Sequence, residues 1–263
     1  MKESELQREQ VYFESDGLTL AGHLYLPVGQ LPYPAVIVCH GLTSCKENHA
    51  EFARFLQERG LAALAFDFRG HGESQGCLDA QALHDIGAAI AYLRGRPEVD
   101  ADWLAIRGSS MGGHYAIHAG AAWPALRAVV AICPSSEADL ERGIFNADFW
   151  HSISEVEGAK LRLALPDYLS YLRQHDVFAA VSGISPRSLF LIHCQDDEII
   201  PYQDSQRLYE LAGQPKKLLL LEGGDHRTAQ HDPAVHEVTV NWLREQLRRL
   251  TTPKCQGEPH ETD

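Results

Sequence analysis

Short continuous apolar runs alternate along this chain with stretches whose apolar residues recur at helical spacing. The runs are Ala35-Val36-Ile37-Val38-Cys39, Leu61 to Phe66, Trp103 to Ile106, Leu126 to Ile132, Ser188 to Ile192 and Lys217 to Leu221. A run of this length without polar alternation predicts a strand covered on both faces. Between them, Phe52, Phe55 and Leu56, then Leu83, Ile86, Ile90 and Leu93, then Met111 to Ala122 and Tyr202 to Leu211 predict helices. Gly60, Gly95 with Pro97, and Gly213 are the expected stops. The last helix should start at Asp232-Pro233, a cap and first-turn pair, and run through Val235, Val238, Trp242 and Leu247.

Two further strands precede this series. Val11 to Phe13 and Leu18 to Leu26 flank Ser15-Asp16-Gly17, a hairpin turn signal. Alternation of strand and helix from residue 35 onward predicts an α/β fold, with a mostly parallel eight-stranded sheet and helices on both faces. One stretch breaks the alternation. From about Pro134 to Ile184 there is no clear strand, and the segment is too long for a plain loop. It is expected to be a small helical cap inserted, over about 134–184, into a single domain spanning 1–252. The polar tail 253–263 is expected to be disordered.

Composition narrows what this domain can meet. A chain of 263 residues suits one α/β domain. Its net charge of -13 opposes nucleic acid and anionic membrane surfaces and favours a small-molecule partner. No apolar run has the length of a membrane span, and the polar start lacks a signal-peptide core. Six cysteines are scattered without paired or zinc-like spacing, which reads as free thiols in a reducing compartment and predicts a cytoplasmic protein. No phosphate-binding glycine loop, dinucleotide fingerprint or metal-ligand cluster is found, so no cofactor and no metal are expected. Homodimerisation is left open.

The candidate chemistry sits where the predicted strands end, which is where open α/β sheets collect active groups. Gly108-Ser109-Ser110-Met111-Gly112 joins a strand to a helix as a G-x-S-x-G turn, which would expose the Ser110 hydroxyl on a sharp elbow. Such a pentapeptide alone is weak, arising by chance in about one chain in ten of this length. Three other strand ends add to it. His40-Gly41-Leu42 follows the first buried run, His193-Cys194-Gln195-Asp196-Asp197 the fifth, and Glu222-Gly223-Gly224-Asp225-His226 the last. The order serine, aspartate, histidine is the one a serine hydrolase uses on this sheet.

With these motifs and Asp67-Phe68-Arg69-Gly70-His71-Gly72-Glu73-Ser74, the chain resembles the α/β-hydrolase superfamily over nearly its whole length. Its size and cap are similar to those of small carboxylesterases that include cinnamoyl (feruloyl) esterases. The resemblance implies Ser110 as nucleophile, His226 as base and Asp197 as the acid that orients it. Asp196 is the alternative acid; the family pattern favours Asp197, four residues before Pro201. The backbone N–H groups of Leu42 and Met111 would form the oxyanion hole. The resemblance also gives the Asp67, Arg69 and His71 loop a bracing role, and His40 reads as structural. His231 and His236, expected in the first turns of the last helix, are the neighbours against which His226 must be weighed.

A small-molecule ester is thus the expected substrate, with a short acyl or hydroxycinnamoyl group preferred. Phe145, Phe149, Trp150, Tyr168 and Tyr171 would either line its pocket or form the core of the cap. Thioesters, lactones and aminoacyl or acyl-peptide bonds suit the same triad, and a ligand-binding protein without turnover is the rival of a different class.

Overall fold

The computed structural model describes residues 7–146 and 160–251. Strands β1 (Gln7–Ser15) and β2 (Leu18–Leu26) form an antiparallel hairpin. Its turn residues Asp16 and Gly17 both have positive φ, 50° and 78°, which lets the turn follow the twist of the flanking strands. Then come β3 (Tyr33–Cys39), α1 (Ala50–Glu58), β4 (Ala62–Phe66), α2 (His84–Arg94), β5 (Val99–Ser109), α3 (Met111–Ala122) and β6 (Leu126–Ile132). After α4 (Glu137–Phe145), α5 (Leu165–Gln174) and the single turn α6 (Val177–Ala180), the chain enters β7 (Ser188–Cys194). It closes with α7 (Tyr202–Leu211), β8 (Lys216–Leu221), the short α8 (Thr228–His231) and α9 (Pro233–Thr251).

The eight strands make one sheet in the order β1-β2-β4-β3-β5-β6-β7-β8. All pairs from β4 to β8 are parallel, and β2 meets β4 antiparallel. This is the mostly parallel eight-stranded sheet that the apolar runs predict. Alternate residues of each central strand feed opposite cores, which is why the runs carry no polar alternation. Ala35, Ile37 and Cys39 face the core built with α2, α3 and α5. Val36 and Val38 face the one built with α1 and α9. Leu104 and Ile106 of β5, Val129 and Ala131 of β6, and Leu189 and Leu191 of β7 join the first core; Ala105, Val130 and Phe190 join the second.

Asp232 caps α9 as expected, its side chain accepting the Ala234 N–H at 2.7 Å. His231 differs from expectation: it ends the separate turn α8, not the start of the last helix. The described part of the 134–184 segment is helical. However, its Tyr168, Tyr171, Leu172, Val177 and Ile184 are buried in the main core rather than in a core of their own. Among the described residues no helix is long and apolar enough to cross a membrane. The tail 253–263 lies outside them.

The strand order turns back between β3 and β5: from β3 the chain steps to β4 on one side, then returns to β5 on the other. Ligands of open α/β sheets bind at such a switch, beyond the carboxyl ends of the strands. His40-Gly41 and Ser110 leave the sheet at that place.

Candidate active site

Ser110 sits between the end of β5 and the start of α3 with φ 55° and ψ -121°, a conformation that non-glycine residues avoid. The elbow is tight enough to dictate its glycines. A Cβ on Gly108 would lie 1.9 Å from the Gly112 carbonyl oxygen, and one on Gly112 would lie 2.4 Å from that of Cys39. The Ser110 N–H donates to Ile132 O at 2.9 Å and its carbonyl accepts the His114 N–H at 3.0 Å, so the strained residue is held from both sides. Its Oγ lies 3.3 Å from the hydroxyl of Ser135, a buried residue just past β6.

Asp197, not the exposed Asp196, carries the carboxylate beside His226. One oxygen, Oδ2, lies 2.8 Å from His226 Nδ1 and 3.2 Å from His193 Nε2. The other accepts the N–H groups of Ile199 at 2.9 Å and Ile200 at 2.8 Å. Burial opposes the charge on this side chain, but the hydrogen bonds from His193 and His226, the His226 charge and the Ile200 N–H together hold its carboxyl well below the usual range. A carboxylate on Nδ1 holds the proton of the neutral ring there and leaves Nε2 as the acceptor of a residue that lines the cleft. The His226 N–H donates to Glu198 Oε2 at 3.1 Å.

A depressed carboxyl pKa is also a statement about stability. Asp197 stabilises the folded state above its unfolded pKa of about 3.9, and that contribution is lost as pH falls below this value toward the folded one. Asp197→Asn should therefore narrow the stability gap to wild type as the pH drops from 5 to 3 in urea titrations. On the role that the resemblance implies for Asp197, the same substitution should lower kcat by about 10⁴-fold at neutral pH, since it disturbs the tautomer of His226.

The loop after β3 passes beside the elbow: a Cβ on Gly41 would be 3.4 Å from Cβ of Ser110. Two buried histidines fix its peptides. His40 Nε2 accepts the Phe68 N–H at 3.1 Å, so its proton is on Nδ1, which donates to Gly41 O at 2.8 Å. That carbonyl belongs to the same peptide plane as the Leu42 N–H and points the opposite way, so the ring orients the N–H. His71 Nε2 lies 2.9 Å from Leu42 O and holds the next peptide. Burial pushes both rings toward the neutral form, His71 down to about 3. Met111 is the first residue of α3, where helix geometry leaves the N–H without an intrahelical acceptor.

Ser110, His226 and Leu42 line one cleft of about 280 Å³, together with Thr43, Asn48 and Gln230. That is the size of a small-ligand site. Its walls are polar and apolar in about equal measure. Of the five aromatic candidates, Tyr168 and Tyr171 are withdrawn from it, buried at 0% and 1% exposure beneath α3 because their helix α5 packs into the main core. Phe145, at the end of α4, is exposed and off the cleft lining. Phe149 and Trp150 lie outside the described residues. Sequence reasoning missed Ser135 and the grip of His193 on Asp197. The second had a signal, since His193 lies at the carboxyl end of the strand that leads to Asp197, next to its last residue, whereas nothing in the sequence separates Ser135 from its neighbours.

The loop from Asp67 to Ser74 braces these elements through buried ion pairs. Asp67 accepts the Lys46 N–H at 2.8 Å, its ammonium at 2.7 Å and the Glu73 N–H at 3.0 Å. Arg69 binds Asp85 through Nε at 2.9 Å and an η nitrogen at 2.7 Å, and it also reaches Asp16 and Asp79.

Comparison with known proteins agrees with this geometry. The protein YfhR of Escherichia coli O157:H7 is 28% identical over 247 residues, covering 89% of this chain and 80% of that protein. The esterase domain of a Rhodothermus marinus protein superposes with a TM-score of 0.71 at 26% identity, covering 91% of this chain and 99% of the domain. Est1E from Butyrivibrio proteoclasticus, solved with ferulic acid bound, has the same fold with a TM-score of 0.73 at 22% identity, covering 92% of this chain and 100% of its own. Residues 30–170, more than half of the chain, match the family model described as serine aminopeptidase, S33. With its elbow, sheet order and strand-end site, the chain belongs to this family of α/β hydrolases.

Proposed function

We propose that the protein is a serine hydrolase that cleaves carboxylic esters of small substrates through an acyl-enzyme. The observation that carries this reading is the Asp197–His226 pair, 2.8 Å apart, opening with Ser110 onto one cleft. In the proposed reaction His226 Nε2 takes the Ser110 proton as Oγ attacks the ester carbonyl. The N–H groups of Leu42 and Met111 receive the oxyanion. His226 then gives its proton to the departing alkoxide. Water, deprotonated by the same ring, attacks the acyl-serine, and the ring returns that proton to Ser110 Oγ as the carboxylic acid leaves. The resting contact of Ser110 with Ser135 gives way when substrate enters, because catalytic hydrogen bonds often tighten only in the complex.

The small cleft, with apolar and polar walls in about equal measure, favours a short acyl group, and the ferulic acid bound by Est1E keeps hydroxycinnamoyl esters as the aromatic option. A second reading, cleavage of aminoacyl or acyl-peptide bonds, is favoured by the description of the matching family model. We place the protein in the cytoplasm on its free cysteines and its charge.

A fluorophosphonate probe should label wild type and fail to label Ser110→Ala. Among p-nitrophenyl esters, aminoacyl p-nitroanilides and acyl thioesters, the short-chain esters should give the highest kcat/KM. A folded protein that takes no label overturns the hydrolase reading, and a preference for the anilides replaces the ester with the peptide bond.

A further inference from the structure

Among the described residues, three groups of side chains bring metal-type donors within 4.8 Å of one another. Two are already engaged. In the group Cys45, Glu47 and Asp67, both carboxylates hold the Lys46 ammonium, which lies 2.8 Å from Glu47 and 2.7 Å from Asp67. Cys133, His193 and Asp197 include the carboxylate that holds His226. The third group is His114, His118 and Glu137, and in the ion pairs of the described residues Glu137 meets only these two histidines.

We propose that His114, His118 and Glu137 form a binding site for a divalent transition-metal ion of the zinc type. His114 and His118 lie four residues apart on α3, which puts both rings on one face of the helix. Glu137, the first residue of α4, faces them across the helix boundary. Its Oε1 lies 3.1 Å from His118 Nε2 and 3.7 Å from His114 Nδ1. A tetrahedral ion with ligands at about 2.0–2.2 Å sets donor separations of about 3.3–3.6 Å, and the two observed distances bracket that range. Two imidazoles and one carboxylate suit zinc or a neighbouring first-row ion, with water in the fourth position.

The groups behind these donors are placed as metal sites need them. His114 Nδ1 lies 3.2 Å from Ser135 O and Nε2 2.9 Å from the Tyr171 hydroxyl; binding an ion therefore moves the ring proton from Nδ1 to Nε2, where Tyr171 accepts it, and an ion on Nδ1 replaces the contact with Ser135 O. Glu137 Oε1 accepts the Val177 N–H at 2.9 Å, which orients the carboxylate. The Glu137 and His118 side chains keep 14% and 7% exposure, enough to open a path for an ion, while His114 is fully buried. The site lies apart from the cleft but is joined to it. His114 is one turn from Ser110, and Glu137 comes two residues after Ser135, which touches the Ser110 hydroxyl. An ion here ties the helix that carries Ser110 to the segment that carries Ser135. Reading spacing alone gave no metal-ligand cluster; the third donor arrives from a different element.

The test titrates chelator-treated, dialysed full-length protein with zinc by calorimetry, and with cobalt(II) by visible absorption. One equivalent should bind with micromolar or tighter affinity, and cobalt should develop the intense bands of a tetrahedral site. His118→Ala and Glu137→Gln should each weaken zinc binding by at least about tenfold, and Tyr171→Phe by about tenfold. Ser110→Ala should bind as wild type does, so the result stands whether or not the protein is an esterase. Zinc should raise the Tm of wild type more than that of either ligand variant. No binding by wild type overturns the proposal, as does equal binding by wild type and whichever ligand variants fold, which would place the ion on other histidines. The two ligand substitutions lie at the edge of the core on different helices, so failure of one to fold leaves the other as the readout.

Discussion

Ser110→Ala is expected to lower kcat by about 10⁵ to 10⁶-fold, the loss that follows when a triad nucleophile acts as one unit with its base. The fold should hardly notice. Oγ of Ser110 makes one long contact, 3.3 Å to Ser135, and alanine meets the same φ of 55° as serine does. The stability change should stay within about 0.5 kcal/mol, a Tm shift of about 1–2 °C. Turnover measured with the preferred p-nitrophenyl ester, alongside a thermal melt, separates the outcomes. A large fall in Tm with activity retained would make Ser110 a structural residue and remove the proposed mechanism.

Arg69→Ala should have the opposite profile, a large loss of stability that begins far from the cleft. The Arg69 guanidinium is 1% exposed, and the Asp85 carboxylate it binds is fully buried. Removing it leaves a buried charge whose remaining partners among the described residues are Ser15 Oγ at 2.7 Å and the N–H of residue 69 at 2.8 Å. Breaking such a pair typically costs about 3–5 kcal/mol. Burial already raises the Asp85 carboxyl despite Arg69. A raised folded pKa means that protonation relieves the penalty, so the deficit should grow as pH rises above the unfolded value and shrink in mild acid. Urea unfolding at pH 5 and pH 8 measures both. The double variant Arg69→Met with Asp85→Leu should recover much of the loss, because buried pairs exchange for apolar groups at little net cost. Equal deficits at the two pH values would show that packing, not charge, dominates.

Much of this fold is legible in the sequence, for one physical reason. Strands covered on both faces must be apolar throughout, so β3, β4, β6 and β7 stand out as runs, and β6 falls on Leu126–Ile132 as read. β5 begins earlier than its apolar run because Val99-Asp100-Ala101-Asp102 extends it past the covered part of the sheet. The aromatic residues of the 134–184 segment were harder. Tyr168, Tyr171 and Leu172 recur at helical spacing, which marks a buried face but not the surface it is buried against. That surface is α3 and the main core. Contacts such as Ser135 with Ser110, or His71 with Leu42, join residues 25 and 29 positions apart through loops, where no periodicity carries information. Asp197 could be told from Asp196 by family pattern, and its geometry follows from the two N–H groups that clasp its Oδ1.

The peptide held by His40 has a thermodynamic consequence. Its carbonyl is anchored in the interior by a ring whose tautomer is dictated by the Phe68 N–H. The dipole that ends in the Leu42 N–H is therefore aligned while the chain folds, before any substrate is present. In the proposed reaction, the free energy of orienting that dipole falls within the folding equilibrium and not within the activation barrier. Water, by contrast, would have to reorganise around each new oxyanion at every turnover.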